Sequence, residues 1–176
     1  MHRRHCLITL GTLTVPSLAR ARQGYTISEA ERLMAAIQDG GKIMYWLPTA
    51  SAADSQRLGN ALRALRVPLN DIRTSRAAVS RQAAEAAFGG TEIAAATELD
   101  FKPDELLRTP PAPGNNRVLV GQRGPLEAAA GRRFPESMLP EGAMAIFLPG
   151  TEISLLGVVT ARRIIRGAET RGALPR

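Results

Sequence analysis

Three short stretches of this chain set polar side chains where chemistry could be done. Thr49 follows Lys42-Ile43-Met44-Tyr45-Trp46-Leu47-Pro48, Ser75 and Arg76 follow Asp71-Ile72-Arg73-Thr74, and Gln122 and Arg123 follow Arg117-Val118-Leu119-Val120-Gly121. Each run reads as a buried strand, and ligands gather at the carboxyl ends of strands in an α/β sheet. Hydroxyls, an amide and guanidiniums meeting at such a mouth would offer donors and positive charge, which suits a small anion. Catalysis needs more than that. The end of the first strand, Leu47-Pro48-Thr49, carries one hydroxyl and no ionisable group.

The supply of reactive side chains is narrower still. The lone cysteine, Cys6, and both histidines, His2 and His5, stand in the first six residues. There Met1-His2-Arg3-Arg4-His5 forms a basic head before the apolar run from Cys6 to Leu18, and Ala19-Arg20-Ala21 supplies small residues at a cleavage position. This is the pattern of a secretory signal over residues 1–21, and the paired arginines resemble a twin-arginine leader. The run is short for a membrane span. A cleaved signal implies a periplasmic or secreted protein, by the general or the twin-arginine route, with no transmembrane segment left. The remaining chain would hold neither Cys nor His. That excludes disulfides, Cys/His zinc sites and Ser-His-Asp or Cys-His machinery.

Composition is that of an ordinary globular protein: 176 residues, 44% hydrophobic and 22% charged, with 4% aromatic residues. Removing Arg3, Arg4 and Arg20 lowers the formal charge from +7 to about +4. Such a balance does not call for nucleic acid as a partner.

The elements that must position the candidates follow from periodicity. Ser28-Glu29-Ala30-Glu31 is a capping box opening a helix to about Gln38, and Asp39-Gly40-Gly41 ends it. Helices are expected over 52–65, 77–88 and 124–130, with a helical turn at 104–107. Gly89-Gly90 is expected to close its helix through the left-handed conformation. Strands are expected at 42–46, 71–75 and 117–121, with a weaker strand and turn over 91–99. A hairpin joins 144–150 to 153–159 around Pro149-Gly150-Thr151-Glu152. The alternation implies a mostly parallel sheet covered on both faces. One domain, 22–160, suffices, followed by an arginine-rich tail over 161–176.

In this frame the chain resembles the histidine phosphatase superfamily, with its phosphoglycerate-mutase-like fold, from about Gly40 to Val159. The resemblance rests on Lys42–Trp46, on Thr74-Ser75 with Ala87-Phe88-Gly89, and on Val118-Leu119-Val120-Gly121 with Leu126-Glu127-Ala128, preceded by Pro111-Ala112-Pro113-Gly114-Asn115. It implies a three-layer αβα sandwich with a mostly parallel central sheet. The family's first Arg and nucleophilic His fall on Leu47 and Pro48, its second Arg on Val79 and its second His on Gln122. Phosphoryl transfer through a phosphohistidine needs an imidazole in line and cations around the equatorial oxygens. Leucine, proline and valine supply neither.

The expectation is therefore an exported member without catalytic residues, a pseudophosphatase acting as a binding or scaffold module. Its degenerate pocket would comprise Thr49, Ser75, Arg76, Gln122 and Arg123, and its ligand would be phosphorylated or anionic, or its partner a protein. No metal and no cofactor is called for. The alternatives are a phosphomonoester hydrolase with a displaced or atypical site, or a hydrolase using Thr49 or Ser75, and a structural domain or anion-surface binder acting through its tail. Glu98, Asp100, Asp104 and Glu105 read as a solvated turn, Asn115-Asn116 as turn chemistry, Arg81 as an outer-face residue, and Arg162, Arg163 and Arg166 as a solvated helix start.

Overall fold

The computed structural model describes residues 28–174. The expected signal, residues 1–21, lies outside them, as do 22–27 and 175–176. Helix α1 (Glu29–Gln38) opens on the expected capping box: Ser28 Oγ accepts from the Glu31 amide, and Glu31 accepts from the Ser28 amide. Then come β1 (Ile43–Trp46), α2 (Ala52–Ala64), β2 (Leu69–Thr74), α3 (Ala78–Phe88) and the short β3 (Ile93–Ala95). A 3-10 turn at Thr97–Asp100 leads to α4 (Asp104–Arg108), β4 (Asn116–Val120), α5 (Arg123–Ala130), β5 (Ala143–Leu148), β6 (Ser154–Thr160) and α6 (Ala161–Thr170).

The six strands form one sheet in the order β3-β2-β4-β1-β5-β6. Strands β3, β2, β4 and β1 run parallel; β5 is antiparallel to β1, and β6 pairs antiparallel with β5 as the expected hairpin. Successive side chains of β1 point to opposite faces, as the two-residue period of a strand requires. Met44 and Trp46 join one core with residues of α1, α2, α3 and α6; Ile43 and Tyr45 join the other with residues of α4 and α5. The result is the three-layer α/β sandwich, with the sheet buried on both sides.

Trp46 anchors the first core, meeting Phe88 edge-to-face at 6.1 Å between ring centroids. Burying a side chain of that size contributes about 2 to 3 kcal/mol or more. Helices α2 and α3 cross closely at Gly59, where a Cβ would overlap the Ala87 carbonyl.

Two expectations need correcting. Gly89 does not take the left-handed conformation: its φ is −50°, and the turn is made by Gly90 at φ +96°. A Cβ at Gly89 would lie 2.7 Å from the Glu85 oxygen, so glycine is used there for space. The arginine-rich stretch from Ala161 starts a helix as expected, but it is no tail outside the domain: α6 buries Ile164, Ile165 and Ala168 in the first core. Arg162, Arg163 and Arg166 stand on its exposed side, an amphipathic pattern that seats the helix on the domain. Among the described residues no helix is long and apolar enough to cross a membrane.

Candidate functional site

The two central strands diverge at their carboxyl ends. β1 leads to α2 on one face of the sheet, and β4 leads to α5 on the other. That divergence opens a crevice, the place where an open α/β sheet offers a ligand room. The strand ends there are pinned by backbone bonds: Leu47 N–H donates to Ala143 and accepts at its carbonyl from Gly142, and Gly121 N–H donates to Trp46. Tyr45 fixes the turn after β4. Its hydroxyl donates to the Gln122 carbonyl at 2.9 Å, and a Cβ at Gly121 would overlap that hydroxyl. Burial, then the charge of Asp100, pushes the phenol well above its ordinary pKa, the bond to Gln122 opposing them. Tyr45 therefore stays a neutral donor.

The crevice holds a cavity of about 340 Å³. Leu47, Pro48 and Ala50 wall it from the end of β1, Val79 and Ser80 from the start of α3, and Gly121, Gln122 and Arg123 from the turn after β4. Glu136 and Glu141 complete the rim. Leu47, Pro48, Val79 and Gln122, the four positions singled out by the sequence resemblance, thus meet around one space.

Few of its groups are reactive. Arg123 donates to the Phe134 carbonyl and pairs with Glu136, so its charge is largely engaged. Ser80 is fully buried and its Oγ has no partner among the described residues. The caps of α3 and α5, Ala77 and Gln122, make no side-chain cap bond, so the first-turn amides there keep donor capacity, except at Pro125 of α5, which has no N–H. The arrangement can hold a small polar or anionic group. It offers no imidazole or thiol, and no base beside a hydroxyl.

The five residues expected to share a pocket are divided. Gln122 and Arg123 line this cavity. Ser75 lies buried at the end of β2 with its Oγ unpartnered, and lines neither cavity described here. Arg76 turns away to Asp100, which accepts from both its backbone amide and its guanidinium. That contact also gives Asp100 a structural role in the acidic stretch, while Asp104 and Glu105 fall in the first turn of α4, where its dipole favours them. Arg81 is exposed, on the outer face of α3.

Thr49 faces a second, larger cavity of about 600 Å³, enclosed by α2, α6 and the loop before β5. Trp46 lines it from β1 and Thr49 from the loop that follows, Asp54, Ser55 and Arg57 from α2, and Glu141 from the loop before β5. Thr160 and Ala161 open the α6 wall, with Arg162, Arg166 and Glu169 further along it. Sequence reading missed this site because its walls come from segments about a hundred residues apart. One signal was legible: a helix begins at Ala161 with two arginines and no acid in its first turn.

Among the described residues no group of three or more His, Cys, Asp or Glu side chains could hold a metal ion. No family model matches the chain, and no curated protein does. Among solved structures, the chain is similar to the proposed phosphohistidine phosphatase SixA from Agrobacterium tumefaciens. That likeness has a TM-score of 0.47 at 18% identity and covers 69% of this chain and 98% of that one.

Proposed function

We propose that this chain is an exported, non-catalytic relative of the histidine phosphatases that binds a phosphorylated or otherwise anionic small ligand in its strand-end cavity. One observation carries the reading: Leu47, Pro48, Val79 and Gln122, on which the sequence resemblance sets that family's Arg, His, Arg and His, line a single cavity. A phosphoryl group there would find no nucleophile and no free cationic clamp, and losing such groups removes several powers of ten in rate. It would still find the uncapped amides of α3 and α5 and the Gln122 side chain. Glu136 and Glu141 oppose an anion, but Glu136 is largely exposed and can swing from Arg123 toward water.

The test uses the full chain in two assays. Phosphate release from a chromogenic phosphomonoester and from a phosphohistidine peptide should stay at the buffer rate. Phosphate, sulfate or a phosphorylated amino acid at about 100 times its dissociation constant should raise the melting temperature by roughly 5–10 °C. Gln122→Ala should weaken that response. Turnover lost on Ser80→Ala would overturn the reading in favour of a displaced catalytic site, and a flat melt across the panel would overturn ligand binding.

A further inference from the structure

We infer that the larger cavity is a second binding site, for a small zwitterion of amino-acid or dipeptide size with a free ammonium and a free carboxylate. Its volume of about 600 Å³ lies in the range of small-molecule sites. The charges on its walls decide the class of ligand. Six ionisable residues line it, three arginines and three acids. Arg57 and Glu169 satisfy each other at 3.1 Å. Four remain: Arg162 and Arg166 on α6, Asp54 on α2, and Glu141 before β5. None of the four makes a salt bridge among the described residues, nor a side-chain hydrogen bond to a protein group.

The positive wall is built against helix electrostatics. A helix N-terminus favours acids and disfavours bases, yet α6 puts Arg162 and Arg163 in its first turn without an acid. A carboxylate seated there would meet Arg162, Arg166 and the start of the α6 dipole together, turning an unfavourable placement into a clamp. Trp46 lines the same cavity, and its buried indole N–H has no hydrogen-bond partner among the described residues.

A simple anion explains only half the site. It would face Asp54 and Glu141 as well as the two arginines, with no net charge on the walls to draw it in. An ammonium group on the same molecule answers the two carboxylates. Ionic groups of both signs left over in one concavity therefore favour a bipolar ligand over a phosphate.

The test is calorimetric titration and thermal melting of the full chain with free amino acids and dialanine. N-acetylalanine, alaninamide and inorganic phosphate serve as probes lacking one charge. At least one free zwitterion should bind, and blocking either terminus should weaken it tenfold or more. Arg166→Ala and Asp54→Asn should each weaken it by a similar factor while the unliganded variants melt close to the parent; Arg162→Ala serves if either variant is unstable. Equal binding by N-acetylalanine, or phosphate binding that Arg166→Ala weakens and Gln122→Ala leaves unchanged, would overturn the inference in favour of a plain anion site. Absence of binding by every zwitterion, or binding indifferent to these substitutions, would overturn it outright. Because the smaller cavity is probed by Gln122→Ala, failure of one site is distinguishable from failure of the other.

Discussion

The two cavities flank the end of one strand and share Glu141, yet they are opposite in kind. The smaller occupies the crevice that the sheet topology provides, and its walls there are leucine, proline and valine. The larger has no such topological origin. It arises where a C-terminal helix is laid against α2 and leaves arginines and carboxylates unspent. Position in a fold therefore says where a site can be, while the chemistry on the walls says whether anything is held. Here the walls favour different ligands in the two cavities, a small anion in the smaller and a zwitterion in the larger.

That contrast can be broken at its common support. Gly59→Val drives a side chain into the Ala87 backbone and separates α2, a wall of the larger cavity, from α3, a wall of the smaller. The expected loss is roughly 4 kcal/mol or more, read from the urea midpoint, with both ligand responses abolished. A substitution remote from both sites should do less and leave the contrast intact. Asp71 pairs with Arg117, whose side chain is 7% exposed and whose guanidinium also donates to the Leu106 and Thr109 carbonyls. Asp71→Ala leaves that charge buried and uncompensated, at a cost of about 3 kcal/mol, while both cavities keep their ligands.

Asp71 also sets a pH dependence. Burial pushes its carboxyl up, but hydrogen bonds and charges from Arg73 and Arg117 outweigh this and hold it below the ordinary carboxylate value. Its contribution is present above the unfolded pKa of about 3.9 and is lost as pH falls through the lower folded value. Denaturation curves between about pH 5 and pH 2 should show that acid limb, reduced in Asp71→Ala.

Smaller changes can sharpen the comparison by touching one cavity at a time. Ser51 caps α2, accepting from the Asp54 amide, so Ser51→Ala should cost about 1 kcal/mol and weaken only the zwitterion response. Tyr45→Phe removes the bond to the Gln122 carbonyl; about 0.5–1 kcal/mol should be lost, and only the phosphate response should fall.

Much of this was legible beforehand. The capping box at Ser28, the alternation of buried strands with amphipathic helices, and the hairpin around Pro149-Gly150 are local signals, and each appears at its place. The Gly89-Gly90 closure was legible as a pair, with Gly90 taking the positive φ, but sequence does not say which glycine answers the conformational need and which the steric one. Arg76 was misassigned for a related reason. A guanidinium on a long stem goes to the nearest carboxylate, and Asp100 is 24 residues away in sequence but adjacent in space.

By itself, the amino-acid sequence determined the layered α/β architecture, because the periods of apolar residues state which face each element buries. It also determined that residues 28–174 contain no histidine or cysteine, so that cysteine- or histidine-based chemistry is closed to the described domain. Only the tertiary structure decided that Leu47, Pro48, Val79 and Gln122 surround one cavity and that Thr49 faces another. It alone turned the arginine-rich stretch into a docked helix whose charges border α2. Such facts depend on crossings between segments distant in the chain, and a local pattern carries no information about the neighbours it will meet.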